Sequence, residues 1–162
     1  MLSESARMSS AAEARFRVQA GPSMSRALSV IALDPACDAL VARLATCSWN
    51  GVAFFPAPAL RDAAQGGIAR AAEDRIGSTL EEMAAADFVV MIASSGAETR
   101  GASAIGELCS LRRVTTTTLV VHTPPATDEA LSKTLAQVRP WSLMVVVLSD
   151  ESYVESILRS FR

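Results

Sequence analysis

Histidine, cysteine and basic charge are all in short supply in this sequence, and each shortage removes a class of function. One histidine, His122, and three scattered cysteines, Cys37, Cys47 and Cys109, supply neither a His/Cys zinc cluster nor a C-x-x-C redox pair. An odd number of cysteines makes no disulfide framework and fits a reducing cytoplasm. Basic residues number 15 against 17 acidic ones, a net charge of −2, so there is no broad positive field to hold nucleic acid. No apolar run approaches the ~20 residues of a membrane-spanning helix. Residues 1–26 mix Glu4 and Glu13 with Arg7, Arg15, Arg17 and Arg26 and lack the apolar block of a secretory signal. They read as a flexible tail before a single domain over 27–162, and neither nucleic acid nor a membrane is an expected partner.

What is present is the composition of a folded core: half of the 162 residues are hydrophobic and a fifth charged. "ALSVIAL" (27–33) is a short apolar run rich in β-branched residues, and "DPACDALVARLATC" follows it with apolar residues at helical spacing. Asp34 suits the N-cap and Pro35 the first helical turn. A turn at Asn50-Gly51 leads to a strand around Val52 to Phe55, ended by Pro56 and Pro58. The long stretch over 61–86 reads as two helices or one interrupted at Gly66, Gly67 and Gly77. "DFVVMIA", "TTTTLVVHT" and "SLMVVVLS" then read as strands, each followed by a helical pattern. Strands apolar on both faces, alternating with helices, predict a three-layer α/β/α sandwich on a mostly parallel five-stranded sheet, Rossmann-like or flavodoxin-like.

Ligands of such sheets bind outside the carboxyl ends of the strands. The strand-to-helix loops there gather Asp34, Ser94, Ser95, Glu98, Thr99, Arg100, His122, Thr123, Ser149 and Asp150. The first loop, "LDPA", has no glycine, which excludes a G-x-G-x-x-G dinucleotide fingerprint, and no G-x-x-x-x-G-K-[ST] occurs anywhere. The third, "SSGAETRGAS", combines Ser94, Ser95, Gly96, Thr99, Arg100 and Gly101 ahead of a helix, where exposed N–H groups attract anions. Two readings of it stay open. It is a phosphate cradle, or it is a turn shaped by Ser and Gly with Thr99 or Ser103 capping the helix.

His122 ends a strand on the same edge, where a general base would stand, but the sequence names no partner for it, and an ordinary loop histidine is the simpler reading. Asp34 and Asp150 could hold a ribose or a magnesium ion, and both also suit N-caps, which is the favoured reading. The three cysteines lie among apolar helical positions and read as small core residues. Ser94 and Ser95 lack the G-x-S-x-G elbow of a hydrolase nucleophile, so the sequence does not predict an esterase.

Two family resemblances attach to these motifs. From "ARAAEDRIGSTLEEMAAADFVVMIASSGAETRGASAIGEL" through "TTTTLVVHTPP" to "SLMVVVLSDES", about half the chain resembles the GTP-binding domain of tubulin and its bacterial cell-division relatives in the order and spacing of its parts. The family's glycine-rich loop survives only as Gly96, Thr99 and Gly101, with Glu98 and Arg100 where small residues are expected. "ASSGAET" (93–99) is also similar to the phosphosugar loop of sugar isomerase domains, with one extra residue before Thr99.

The first resemblance implies a small, non-polymerising and non-catalytic regulatory or accessory protein. Its residual site for GTP, GDP or another phosphate-bearing ligand would be built from Ser94, Ser95, Gly96, Thr99, Arg100 and Gly101, with Asp34 and His122 beside them. A protein partner or a second copy would carry its action. The second resemblance implies a phosphosugar-binding enzyme or regulator, and a pure interaction module is the third expectation. A 3-2-1-4-5 strand order would favour the tubulin-like reading and a 2-1-3-4-5 order the flavodoxin-like one.

Overall fold

The computed structural model describes residues 26–56, 81–83, 85–99 and 101–161. The proposed tail, apart from Arg26, lies outside the described residues. So do Arg100 and all but the end of the helical stretch expected over 61–86.

Five strands form one sheet: β1 (Leu28–Ala32), β2 (Val52–Phe55), β3 (Phe88–Ser94), β4 (Thr115–Val121) and β5 (Met144–Leu148). All the pairings are parallel, in the order β2-β1-β3-β4-β5. Among the described residues the labelled helices are α1 (Pro35–Ala45), α2 (Gly101–Arg112), α3 (Asp128–Val138) and α4 (Ser152–Ser160), with a 3-10 turn at Arg139–Trp141, and residues 81–83 are also helical. The order is the flavodoxin-like one. On strand order alone this favours the flavodoxin-like reading over the tubulin-like one. Residues 57–80, between β2 and β3, lie outside the described residues.

Alternate residues of the central strands feed two cores. Ile31, Val89, Met91, Ala93 and Val120 pack against Ala102, Ile105 and Cys109 of α2 and Val138 of α3, together with Met83. Val30, Ala32, Val90, Ile92 and Leu119 pack on the other face against Cys37, Leu40, Val41 and Leu44 of α1 and Val154 and Leu158 of α4. β1 is buried at every position, and β3 is buried at all but its two ends. Burial on both faces is why these strands read as unbroken apolar runs.

Local chemistry sets the boundaries. The Asp34 carboxylate accepts from the Ala36 and Cys37 N–H groups and starts α1 at Pro35. α1 ends at Ala45, with Thr46 as its C-cap. Cys47 therefore falls beyond the helix and is exposed, whereas Cys37 and Cys109 are buried. Placing Cys47 in the core fails because the helix stops one turn too early. Gly101, expected in the loop, is instead buried in the first turn of α2. Arg113 closes that helix with φ 59, and the Val114 N–H reaches back to the Cys109 carbonyl at 2.8 Å. That is the left-handed closing turn usually given to glycine.

Gly106 of α2 lies against the 3-10 turn. A Cβ there would stand 2.5 Å from the Trp141 Cβ, an atom too close to its own backbone to swing away. Gly106→Ala gains up to about 1 kcal/mol of helix propensity and loses about 1–3 kcal/mol to overpacking. Urea denaturation should show a net loss, seen as a lower midpoint with an unchanged slope.

Candidate functional site

β1 is flanked by β2 on one side and β3 on the other, so the direction of chain winding reverses there. The carboxyl ends of β1 and β3 are where a crevice is expected in such a sheet. An open cleft of about 420 Å³ lies there. Ala36, Cys37 and Leu40 of α1 form one wall, Ser94 and Ser95 the floor, and Thr123 to Ala126 and Glu151 the rim. Among the described residues that line it there is no Lys or Arg. A hollow of about 490 Å³ at the opposite edge, beside Trp141, is larger. There, however, the Thr116 hydroxyl donates to the Trp141 carbonyl and the Ser142 hydroxyl to the Val138 carbonyl, which leaves structural polar groups and no convergent set.

The floor of the cleft is built on Asp34, a residue 3% exposed. Besides capping α1, its carboxylate accepts from the Ser94 N–H at 2.7 Å and the Ser94 hydroxyl at 3.2 Å. Since that hydroxyl proton is directed to Asp34, the Cys37 thiol, 3.3 Å from the Ser94 Oγ, is the donor of their contact. Burial, and after it the neighbouring Asp34 carboxylate, push the Cys37 thiol far above its ordinary value. Burial alone raises Cys109 to about 11. Both thiols are held protonated, and a thiol is a poor nucleophile until it ionises.

The glycine-bearing loop turns away from this cleft, toward α3. The Ser95 N–H donates to the Val121 carbonyl at 2.9 Å, and the Ala97 N–H to the Ser94 carbonyl at 3.1 Å. The Gly96 N–H meets the Thr134 hydroxyl at 2.9 Å, and that hydroxyl, fully buried, donates in turn to the Ala130 carbonyl. The Thr99 N–H and hydroxyl both donate to Gln137 Oε1, at 3.0 and 2.7 Å. Gly96 has φ +86, and a Cβ there would stand 3.2 Å from the Ala130 Cβ, so the turn needs glycine in order to lie on α3. With the Ser94 N–H held by Asp34, the N–H groups of Ser94, Ser95, Gly96, Ala97 and Thr99 all have protein partners.

The residues expected to form one site are thus divided. Ser94 and Ser95 reach the cleft, with Asp34 beneath them. Gly96 and Thr99 face α3, Gly101 is inside α2, and Arg100 lies outside the described residues. Glu98 is exposed on the rim of a separate hollow of about 290 Å³ that Thr99 and Gln137 also line. Thr99 does not cap α2 with its side chain. Its carbonyl accepts from the Ala102 N–H while its hydroxyl serves Gln137. Asp150 stands one residue before Glu151, the N-cap position of α4, and accepts from the Ser152 N–H at 2.7 Å; hydrogen bonding from the Ser152 side chain, and after it from this N–H, lowers its pKa.

No family model and no curated protein matches this chain. The site is therefore read from its own geometry. Among the described residues no group of three His, Cys, Asp or Glu side chains is placed to hold a metal ion, and no helix is long and apolar enough to cross a membrane.

His122 does have partners. Its Nδ1 lies 3.0 Å from the Ser95 Oγ, and its Nε2 lies 3.7 Å from an Asp128 carboxylate oxygen. Asp128 is the first residue of α3, fixed there by Thr127, whose hydroxyl accepts from the Ala130 N–H. Sequence reading missed Asp128, Thr134 and Gln137 because each belongs to a helix pattern whose facing element only the fold supplies.

Three measurements test this arrangement of the edge. Asp34→Ala strands the Ser94, Ala36 and Cys37 donors and removes a cap, and should lower stability by about 2–4 kcal/mol in urea titrations. Native iodoacetamide alkylation at pH 8 should modify Cys47 and leave Cys37 and Cys109 untouched. Because the folded state raises the Cys37 and Cys109 pKa values, their contribution to stability is intact below pH 9. The Cys109 part is lost as pH climbs from about 9 through about 11, where that thiol ionises, and the Cys37 part is lost only at higher pH. Thermal denaturation across pH 8–11 should fall accordingly.

Proposed function

We propose that this chain is a small, non-polymerising accessory or regulatory domain of tubulin-like α/β type, in which the loop corresponding to the nucleotide cradle serves as a brace. The observation that carries this reading is the use of the loop's own N–H groups. A phosphate held at a glycine-rich loop needs several convergent donors with no other partner. Here those of Ser94, Ser95, Gly96, Ala97 and Thr99 serve Asp34, Val121, Thr134, Ser94 and Gln137. Opening the loop for GTP or GDP would expose buried Thr134 and Thr99 and would break bonds worth roughly 0.5–1.5 kcal/mol each. The adjoining cleft adds Glu151 and, among its described lining residues, no cation to receive a di- or triphosphate.

Action through a protein partner or a second copy fits the sheet edge. β5 is an edge strand, and Met144 and Val147 on it and Leu143 beside it are exposed apolar residues. An uncovered apolar edge is a template for association. A phosphosugar-binding role is the second reading, supported by the 2-1-3-4-5 order and by the Ser94 and Ser95 side chains in the cleft.

A thermal-shift comparison of GTP, GDP, a hexose phosphate and inorganic phosphate decides between them. A ligand at 100 times its Kd stabilises by about 2.7 kcal/mol, which is roughly 5–10 °C for a domain of this size. The brace reading expects no such shift from GTP, GDP or inorganic phosphate. A saturable shift with GTP or GDP overturns it, and one confined to the hexose phosphate makes the second reading the correct one.

A further inference from the structure

Ser95, His122 and Asp128 come from three different places, namely the end of β3, the end of β4 and the start of α3, and lie near one another at the carboxyl edge of the sheet, where Ser95 lines the cleft. We propose that Ser95 is an acyl-accepting nucleophile, with His122 as its base, for short-chain esters that enter the cleft above β1 and β3. This goes beyond the accessory role and rests on side chains which that role leaves unused.

The backbone holds the pair in register. The Ser95 N–H bonds the Val121 carbonyl and the His122 N–H bonds the Leu148 carbonyl, so each residue extends the hydrogen bonding of the sheet by one step. The 3.0 Å separation of Ser95 Oγ from His122 Nδ1 is within proton-transfer reach. Which ring nitrogen carries the proton decides the direction of that bond. The Asp128 carboxylate, fully exposed to solvent, lies 3.7 Å from Nε2; with the proton on Nε2, the Nδ1 lone pair accepts from the Ser95 hydroxyl. This is the nucleophile and base pair of a hydrolytic site, with Nδ1 in the position usually held by Nε2. His122 is 23% exposed, so it can take up and return a proton beside solvent. Leu40, Val121 and Pro124 give the cleft an apolar wall suited to a short acyl chain.

The chemistry balances with water as co-substrate. The Ser95 Oγ attacks the ester carbonyl carbon as its proton passes to Nδ1. The tetrahedral adduct then collapses, the bond to the alkoxide breaks, and the departing alcohol takes the proton from Nδ1. Water, deprotonated by the same nitrogen, attacks the acyl-serine and releases a carboxylic acid, restoring the Ser95 hydroxyl. The Gly96 and Ala97 N–H groups, the nearest backbone donors after the serine in sequence, are bonded to Thr134 and Ser94. Stabilisation of the oxyanion, worth about 10²–10³ in rate where it is built in, is therefore not preformed. The reaction is slow and shows best with an activated ester, whose leaving group lets acylation outrun deacylation.

The test uses the full chain with a fluorophosphonate probe and, separately, p-nitrophenyl acetate. The expected result is one probe per chain, located on Ser95 by peptide mass spectrometry, in folded but not heat-denatured protein. A p-nitrophenol burst close to one equivalent should accompany it. Ser95→Ala should abolish both signals, and His122→Gln should slow labelling at least ~100-fold while circular dichroism shows the fold intact. Absence of labelling, labelling at another residue, or Ser95 labelling unaffected by His122→Gln overturns the proposal. None of these outcomes depends on nucleotide or phosphosugar binding, so this inference and the accessory-domain reading fail separately.

Discussion

The carboxylate of Asp34 is the constraint on which the working edge of this domain depends. It sits at 3% exposure with four donors around it: the N–H groups of Ala36, Cys37 and Ser94 and the Ser94 hydroxyl. A buried carboxylate is tolerated only when its lone pairs are occupied. Here the donors come from two segments 60 residues apart, so satisfying the charge also locks the start of α1 to the end of β3. The backbone of β1 supports the same junction from the other side, where the Leu33 N–H donates to the Ile92 carbonyl. The cleft has a rigid floor because of a charge that no ligand needs to neutralise.

This double role explains what was and was not legible in the sequence. That Asp34-Pro35 begins a helix follows from local rules, because an N-cap bonds within three residues of itself. That the second carboxylate oxygen would clamp Ser94 follows only from the sheet order that brings β1 beside β3. The strands were legible for a related reason. β1 and β3 are covered on both faces, and that leaves a continuous apolar run which survives without knowledge of the neighbours. Cys47 shows the limit of such reasoning: the apolar periodicity of α1 runs on through it, but Thr46 turns its hydroxyl and N–H back onto the Arg43 carbonyl and ends the helix first.

The loop over residues 94–101 fails as a sequence signal in a more instructive way. Small residues and glycine record that a backbone must bend tightly and that something approaches closely. They do not record what approaches. In a nucleotide-binding loop the approaching group is a phosphate. In this chain it is the α3 face carrying Ala130, Thr134 and Gln137, which brings a methyl group to Gly96 and two acceptors to the loop donors. Both solutions demand glycine at positive φ and unhindered N–H groups, so composition alone supports either. The deciding residues lie 38 positions downstream, in a helix whose own pattern is that of an ordinary amphipathic one.

Docking the loop on α3 has a consequence for the chemistry left at the edge. It fixes the position of Ser95 between a β3 end held by Asp34 and a turn held by Thr134, and the same helix presents Asp128 to His122 from its first turn. One helix therefore takes up the Gly96 and Thr99 donors and also carries Asp128, 3.7 Å from His122. The two effects oppose each other in energetic terms. Every N–H bonded to α3 stabilises the brace and aligns the serine, and is withdrawn from the oxyanion that an acylated serine must pass through. Stability and reactivity draw on the same donors here, a conflict familiar wherever active sites carry unsatisfied groups. In this structure the conflict is resolved toward stability at Gly96 and Thr99. What remains for chemistry is the side-chain pair, whose hydrogen bond does not use those donors.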